Sequence, residues 1–144
     1  MKKIQSILKL SLIAGMIFIS SCKKENTPPG SFQAPTLHAN DSLLRTGTFQ
    51  NGPYGRVSGD VSVYHTDSGY SIDLSNFNSS DGPALHVFLS KEMKPVTSYD
   101  LGELKALTGD QNYTLTIQPD LNEYRYVSVH CVAFDHLFGY APLN

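Results

Sequence analysis

The amino-acid sequence predicts an all-β fold, an antiparallel β-sandwich with barrel-like closure as its near variant, of about seven to nine short strands. Three features predict it. Apolar and polar residues alternate at period two in segment after segment of residues 42–144. Clusters of Gly, Pro, Asn, Asp and Ser separate those segments. Beyond residue 22 no run keeps the long 3.6-residue apolar period of a helix.

Taken in order, Leu43 to Phe49 predicts the first strand, and Asn51-Gly52-Pro53-Tyr54-Gly55 is dense in turn formers. Val57 to His65 alternates, with Val57, Val61 and Val63 inward and Ser58, Asp60, Ser62 and Tyr64 outward. Asp67-Ser68-Gly69 reads as a hairpin turn into a strand whose inner face is Tyr70, Ile72 and Leu74. Asn76 to Pro83 reads as a loop, and Ala84 to Ser90 as a strand with Leu85, Val87 and Leu89 inward and His86 and Phe88 outward. Lys91 to Gly109 is less regular; Leu101, Leu104, Ala106 and Leu107 suit a short helical turn or an edge strand equally. Tyr113, Leu115 and Ile117 alternate with Thr114 and Thr116, and Pro119 to Asn122 turns the chain onward.

The stretch from Tyr124 to Leu143 organises the rest. One face of its strand is Val127, Val129, Cys131 and Ala133, which aims the thiol into a core. The other is Tyr126, Ser128, His130, Val132 and Phe134. A last short strand is expected from Leu137 to Ala141.

The first 22 residues read as an export signal: Lys2 and Lys3, then a largely apolar run from Leu8 to Ile19, then Ser20, Ser21 and Cys22. The run is too short to span a bilayer comfortably. Ile19-Ser20-Ser21-Cys22 resembles a bacterial lipobox, with Ser21 where Gly or Ala is commoner, and the resemblance implies that Cys22 becomes the acylated N-terminus. Each buried methylene contributes about 0.8 kcal/mol, so two or three acyl chains hold a protein on a membrane. Lys23 follows the cysteine, and by resemblance to lipoprotein sorting this implies the outer membrane of the cell envelope. Residues 23–41 carry Pro28, Pro29, Gly30 and Pro35 among polar residues and read as a tether. The folded domain is expected over 42–144, long enough for one core.

Two cysteines in an exported chain would ordinarily pair. If Cys22 carries lipid through its sulfur, Cys131 has no mate in a compartment that oxidises thiols. The net charge of −2 and the lack of a basic run beyond the signal exclude nucleic acid as an expected partner.

From Gly47 to Leu143 the chain resembles the DM-13 domain family, an electron-transfer domain. The matching pieces are Gly47-Thr48-Phe49, Val57-Ser58-Gly59, Gly82 through Ser90, Leu101 through Lys105, Gly109 through Tyr113, His130 through Phe134 and Phe138 through Ala141. Family members often carry a His before the Ser-Gly pair, where this chain has Tyr54, Gly55 and Arg56, and a Trp before the cysteine, where it has His130. The resemblance implies a β-rich domain whose cysteine, here Cys131, acts in redox chemistry, either bare or holding a prosthetic group.

From the residues alone Cys131 reads two ways, as a small buried hydrophobe or as a redox centre. His130 follows the opposite parity, so an adjacent Cys-His pair is disfavoured. A blue-copper set would need Cys131, His136 and His86. His86 faces away from the inward set and no axial Met follows His136, so no metal is expected. No C-x-x-C-H motif attaches a haem, and no cofactor is named by the sequence. No Ser-His-Asp arrangement, phosphate loop or carboxylate pair stands out, and Asp135 and His136 read as surface groups, so an enzyme is not expected. The functional expectation is an envelope-anchored electron-transfer domain with a redox or protein partner. The alternative is a binding or scaffolding lipoprotein that uses an outer aromatic face of Tyr64, Phe88, Tyr124, Tyr126 and Phe134.

Overall fold

A computed structural model describes residues 41–144. The expected signal peptide 1–22, its Cys22, and the tether 23–41 apart from Asp41 lie outside the described residues. Among the described residues nine strands form two antiparallel sheets and there is no helix, the sandwich that the alternation predicted.

One sheet is β1 (Ser42–Thr48), β3 (Val57–Thr66), β4 (Gly69–Ser79) and β7 (Gln111–Leu115), in that order. The other runs β2 (Gln50–Asn51), β9 (His136–Pro142), β8 (Tyr126–Cys131), β5 (Leu85–Ser90) and β6 (Ser98–Glu103). The chain changes sheets at Phe49, the single residue between β1 and β2. Its ring is buried and meets Phe77 edge-on at 5.4 Å, and its N–H donates to Gly59 O. The C-terminus returns to the same corner, where Thr46 and Asn144 exchange two backbone hydrogen bonds.

The core forms where the inner faces meet. Val57, Val61, Val63, Ile72 and Leu74 come from one sheet, and Leu85, Val87, Leu89, Val127, Val129 and Cys131 from the other, all buried. Burial of this apolar surface, at roughly 25 cal/mol per Å², is the main force holding the sheets together.

Several boundaries differ from those the alternation predicts. The stretch from Asn76 was expected to be a loop, yet β4 continues to Ser79. The register slips between Ser58 and Asp60, with Gly59 at φ +119° and Asn76 at φ +50°. The bulge moves the inward parity by one, so Phe77 and Ser79 are buried after Ile72 and Leu74. The irregular segment after Lys91 supplies an edge strand, β6, rather than a helical turn. β7 stops at Leu115, which leaves Ile117 exposed. β8 stops at Cys131, so Ala133, expected inward, is exposed in a turn.

The outer face of β8 is also less open than its sequence implies. Residues 91–97 fold back over it, and Ser128 and His130 are buried. Ser128 Oγ donates to Met93 O at 2.7 Å, and Ser90 Oγ donates to Glu92 O at 2.7 Å.

Candidate functional site

Cys131 ends β8, paired with Leu85 of β5 on one side and His136 of β9 on the other. It is the free cysteine of the described residues and has no exposed surface. Its thiol donates to the carbonyl oxygen of Pro83, with Sγ 2.8 Å from that oxygen. The next residue, Ala84, adopts φ +49°, a left-handed conformation that residues with a Cβ rarely take. Ala84 O accepts from Val132 N–H at 3.1 Å. Two hydrogen bonds therefore clamp the Pro83–Ala84 turn onto the end of β8.

The turn fits because Gly82 has no side chain. A Cβ there would stand 2.5 Å from Cζ of Phe138 and 3.2 Å from Cδ2 of Leu85. Gly55 lies similarly against the Phe138 ring, and Gly139 leaves room for Val57. On its far side the turn borders an open groove between Asp81–Leu85 and Glu103–Leu107. The sulfur is thus one turn away from a surface groove and closed off from it.

His136, directly across from Cys131, was read as a surface group. Residues opposite one another on antiparallel strands carry their Cβ atoms about 4.5–5.5 Å apart on one face. The imidazole stacks on the phenol ring of Tyr54, with centroids 3.8 Å apart and planes 2° from parallel. Phe134 lies 6.0 Å from the same imidazole. The turn holding Tyr54 is strapped to β9, since Gly52 N–H donates to Phe138 O at 2.7 Å and Tyr54 N–H to Leu137 O at 3.3 Å. The sequence placed Tyr54 in a turn and in the region where family members often carry a His. Its pairing with His136 has no signal in the sequence, because the two are joined solely by β2 pairing with β9.

His130, the other neighbour of Cys131, follows the opposite parity as expected, and it is buried beneath residues 91–97. Its Nε2–H donates to Asp135 at 3.1 Å, and Asp135 in turn pairs with Lys94 of the covering segment. Nδ1 of His130 is buried without a partner. Burial pushes this imidazole below its ordinary value, with Asp135 pulling the other way. The lysine hydrogen bond holds Asp135 below the usual carboxylate range. Phe88 meets the His130 ring edge-on at 6.1 Å.

The copper grouping weighed from the sequence does not assemble. Leu85 is the β5 residue paired with Cys131, so strand alternation turns His86 to the other face, where its Nδ1–H donates to Asp100 at 2.9 Å. No cluster of three or more potential metal ligands occurs among the described residues. Of the expected outer aromatic face, Tyr64, Phe88, Tyr124 and Tyr126 are half-buried and Phe134 is exposed; Phe134 stands with the exposed Tyr54 and Val132 at the β8–β9 end.

The short motifs quoted from the sequence prove to be structural parts of this end of the sandwich. Gly82-Pro83-Ala84 makes the turn over the thiol. Leu104 N–H donates to Leu85 O at 2.7 Å, tying the Leu101–Lys105 segment behind it. In Gly109 through Tyr113, Asp110 accepts from Asn76 N–H at 2.9 Å, which holds the left-handed bulge residue. Gln111 is buried, and its side chain accepts from the N–H groups of Lys105 and Ala106 and donates to Ala106 O.

No curated protein and no solved structure matches the chain. The family model described as Electron transfer DM13 matches residues 48–143, two thirds of the chain and every strand from β2 to β9, so the chain belongs to the electron-transfer DM13 family.

Proposed function

We propose that this protein carries single electrons through Cys131 while lipid on Cys22 anchors it to the cell envelope, at the outer membrane. The observation that carries the reading is an unpaired thiol, fully buried and hydrogen-bonded to Pro83, in a domain of an electron-transfer family. Burial selects among the reactions open to a thiol. Disulfide exchange and peroxide attack require a second molecule to touch the sulfur, and the Pro83–Ala84 turn denies that contact. Electron loss does not require it. In the oxidation step Cys131 S–H loses one electron and its proton to become a thiyl radical. The electron goes to a one-electron acceptor, such as an oxidised metal centre on a partner, and the proton to solvent through transient opening of the Pro83–Ala84 turn onto the groove beside it. Return of one electron and one proton restores the thiol.

The test uses the full-length chain in detergent with hexachloroiridate as the one-electron oxidant and electron paramagnetic resonance of freeze-quenched samples, which needs no contact with the sulfur. The expected result is a thiyl radical signal that is lost in Cys131→Ser. Absence of a thiyl signal in the wild-type protein overturns the reading. A disulfide reagent added without denaturant is expected to leave Cys131 unmodified.

A second reading, a binding lipoprotein, is favoured by the exposed Phe134 and Val132 at the β8–β9 turn. It predicts that Phe134→Ala abolishes partner binding while Cys131→Ser leaves it intact.

A further inference from the structure

Resting on the reading of Cys131 just given, we infer that the stacked pair Tyr54–His136 is the electron port of this domain, with Tyr54 the surface group that exchanges electrons with a partner. Three observations carry it. His136 is the residue directly across β9 from Cys131. Its ring lies flat on Tyr54 at 3.8 Å, a contact that overlaps the two π systems. Tyr54 is 58% exposed, whereas the sulfur is wholly buried. The strand pairing of Cys131 with His136 and the stack of His136 on Tyr54 thus form a short series from the core to solvent, with Tyr54 held by backbone hydrogen bonds to β9 and Cys131 by the turn at Pro83. A buried electron carrier needs such a series, and phenol is the readily oxidised group within it.

The port also faces the right way. The chain enters β1 at Ser42, level with the β3–β4 hairpin through its pairing with His65. Tyr54, Phe134 and His136 stand at the far end, past the point where Gln50 and Asn51 pair with Tyr140 and Gly139. This pole is therefore the one opposite the point where the chain enters β1, and a partner that brings a one-electron centre meets Tyr54 there.

The chemistry balances in two steps. A one-electron acceptor takes an electron from the Tyr54 phenol, whose proton passes to solvent and leaves a phenoxyl radical. The phenoxyl then takes an electron from Cys131 through His136 and a proton from solvent. Cys131 S–H becomes the thiyl radical as its proton leaves to solvent through transient opening of the Pro83–Ala84 turn onto the groove beside it, and Tyr54 O–H is restored.

The experiment is flash oxidation of the full-length chain by photogenerated ruthenium(III) tris-bipyridine, with freeze-quench electron paramagnetic resonance, in which thiyl and phenoxyl radicals give different signals. Wild type is expected to show the thiyl signal of Cys131. Tyr54→Leu is expected to lower that signal severalfold, and Tyr54→Trp, which keeps an oxidisable ring over His136, to restore it. In Cys131→Ser the signal is expected to become the phenoxyl of Tyr54. Tyr99→Leu, which removes a phenol on β6, is the control and is expected to change nothing. An undiminished thiyl signal in Tyr54→Leu overturns the port and leaves the redox reading of Cys131 standing. A wild-type protein oxidised at Tyr54 and never at Cys131 overturns that reading itself.

Discussion

At His130 burial and pairing oppose one another, and the balance sets a pH dependence. The unfolded imidazole takes up a proton near about pH 6.5. In the folded chain burial holds the same group below that value. Between the two the unfolded state binds more protons, so stability falls as pH drops through this window. The Asp135 carboxylate adds stability above its ordinary range, and that contribution is lost only in more acidic solution, as pH falls through its depressed value. The urea midpoint is therefore expected to drop between pH 7.5 and 5.5, and His130→Gln, which keeps a donor for Asp135 and cannot charge, is expected to flatten the drop. An equal drop in both proteins would remove His130 as the cause. Cys131 behaves differently under substitution. Serine keeps a donor for Pro83 O in nearly the same volume, so Cys131→Ser is expected to fold with a modest loss of stability while ending oxidation at this position. That separation of folding from function makes the variant usable.

At the scale of the element, the turn over the thiol and the closure between β6 and β7 bear the greatest local demands. Gly82→Ala drives a Cβ into the Phe138 ring. It is expected to destabilise by about 1–3 kcal/mol as the turn shifts, and to make Cys131 reactive toward a disulfide reagent in native conditions. A destabilised variant whose thiol stayed unreactive would show that the turn does not shield the sulfur. Gln111→Leu removes the partners of both Ala106 N–H and Ala106 O, while Lys105 N–H keeps Tyr113 Oη as an acceptor. Leaving the half-buried Ala106 groups without partners is expected to lower unfolding free energy by about 1–3 kcal/mol, read by urea titration. Alternation was enough to identify β3, β5 and β8 and to orient their valines and leucines, because a half-buried strand writes its inner face every second residue. It failed at Asn76, where a bulge reverses the parity within one strand, and at Ser128 and His130, whose cover comes from residues 91–97 on another part of the chain. Gly82, Gln111 and Asp110 were legible only as pieces of a family pattern. Their reasons are a close ring contact, a buried hydrogen-bond set and a left-handed residue, and each depends on a distant partner.

For the whole molecule, Phe49 and Phe77 join the two sheets at the corner where the chain crosses between them. Phe77→Ala is expected to destabilise by roughly 3–5 kcal/mol, as large core aromatics do. The proposed attachment to the envelope is separate from the fold and is expected to depend on Cys22. Cys22→Ser is expected to release the chain from membranes and to end incorporation of labelled palmitate, with the described domain still folded. Retention on membranes without acylation would refute the anchor. By itself the sequence determined the fold class, the inner faces of the main strands, the family and a Cys131 with aliphatic neighbours. These are local properties, since period-two alternation and short motifs are written along the chain. Tertiary structure alone decided that the thiol is sealed by the Pro83–Ala84 turn, that His136 stands across from it, and that Tyr54 stacks on that imidazole. The physical reason is separation in sequence: Tyr54 and His136 meet only because β2 pairs with β9, and Pro83 meets Cys131 only because β5 pairs with β8.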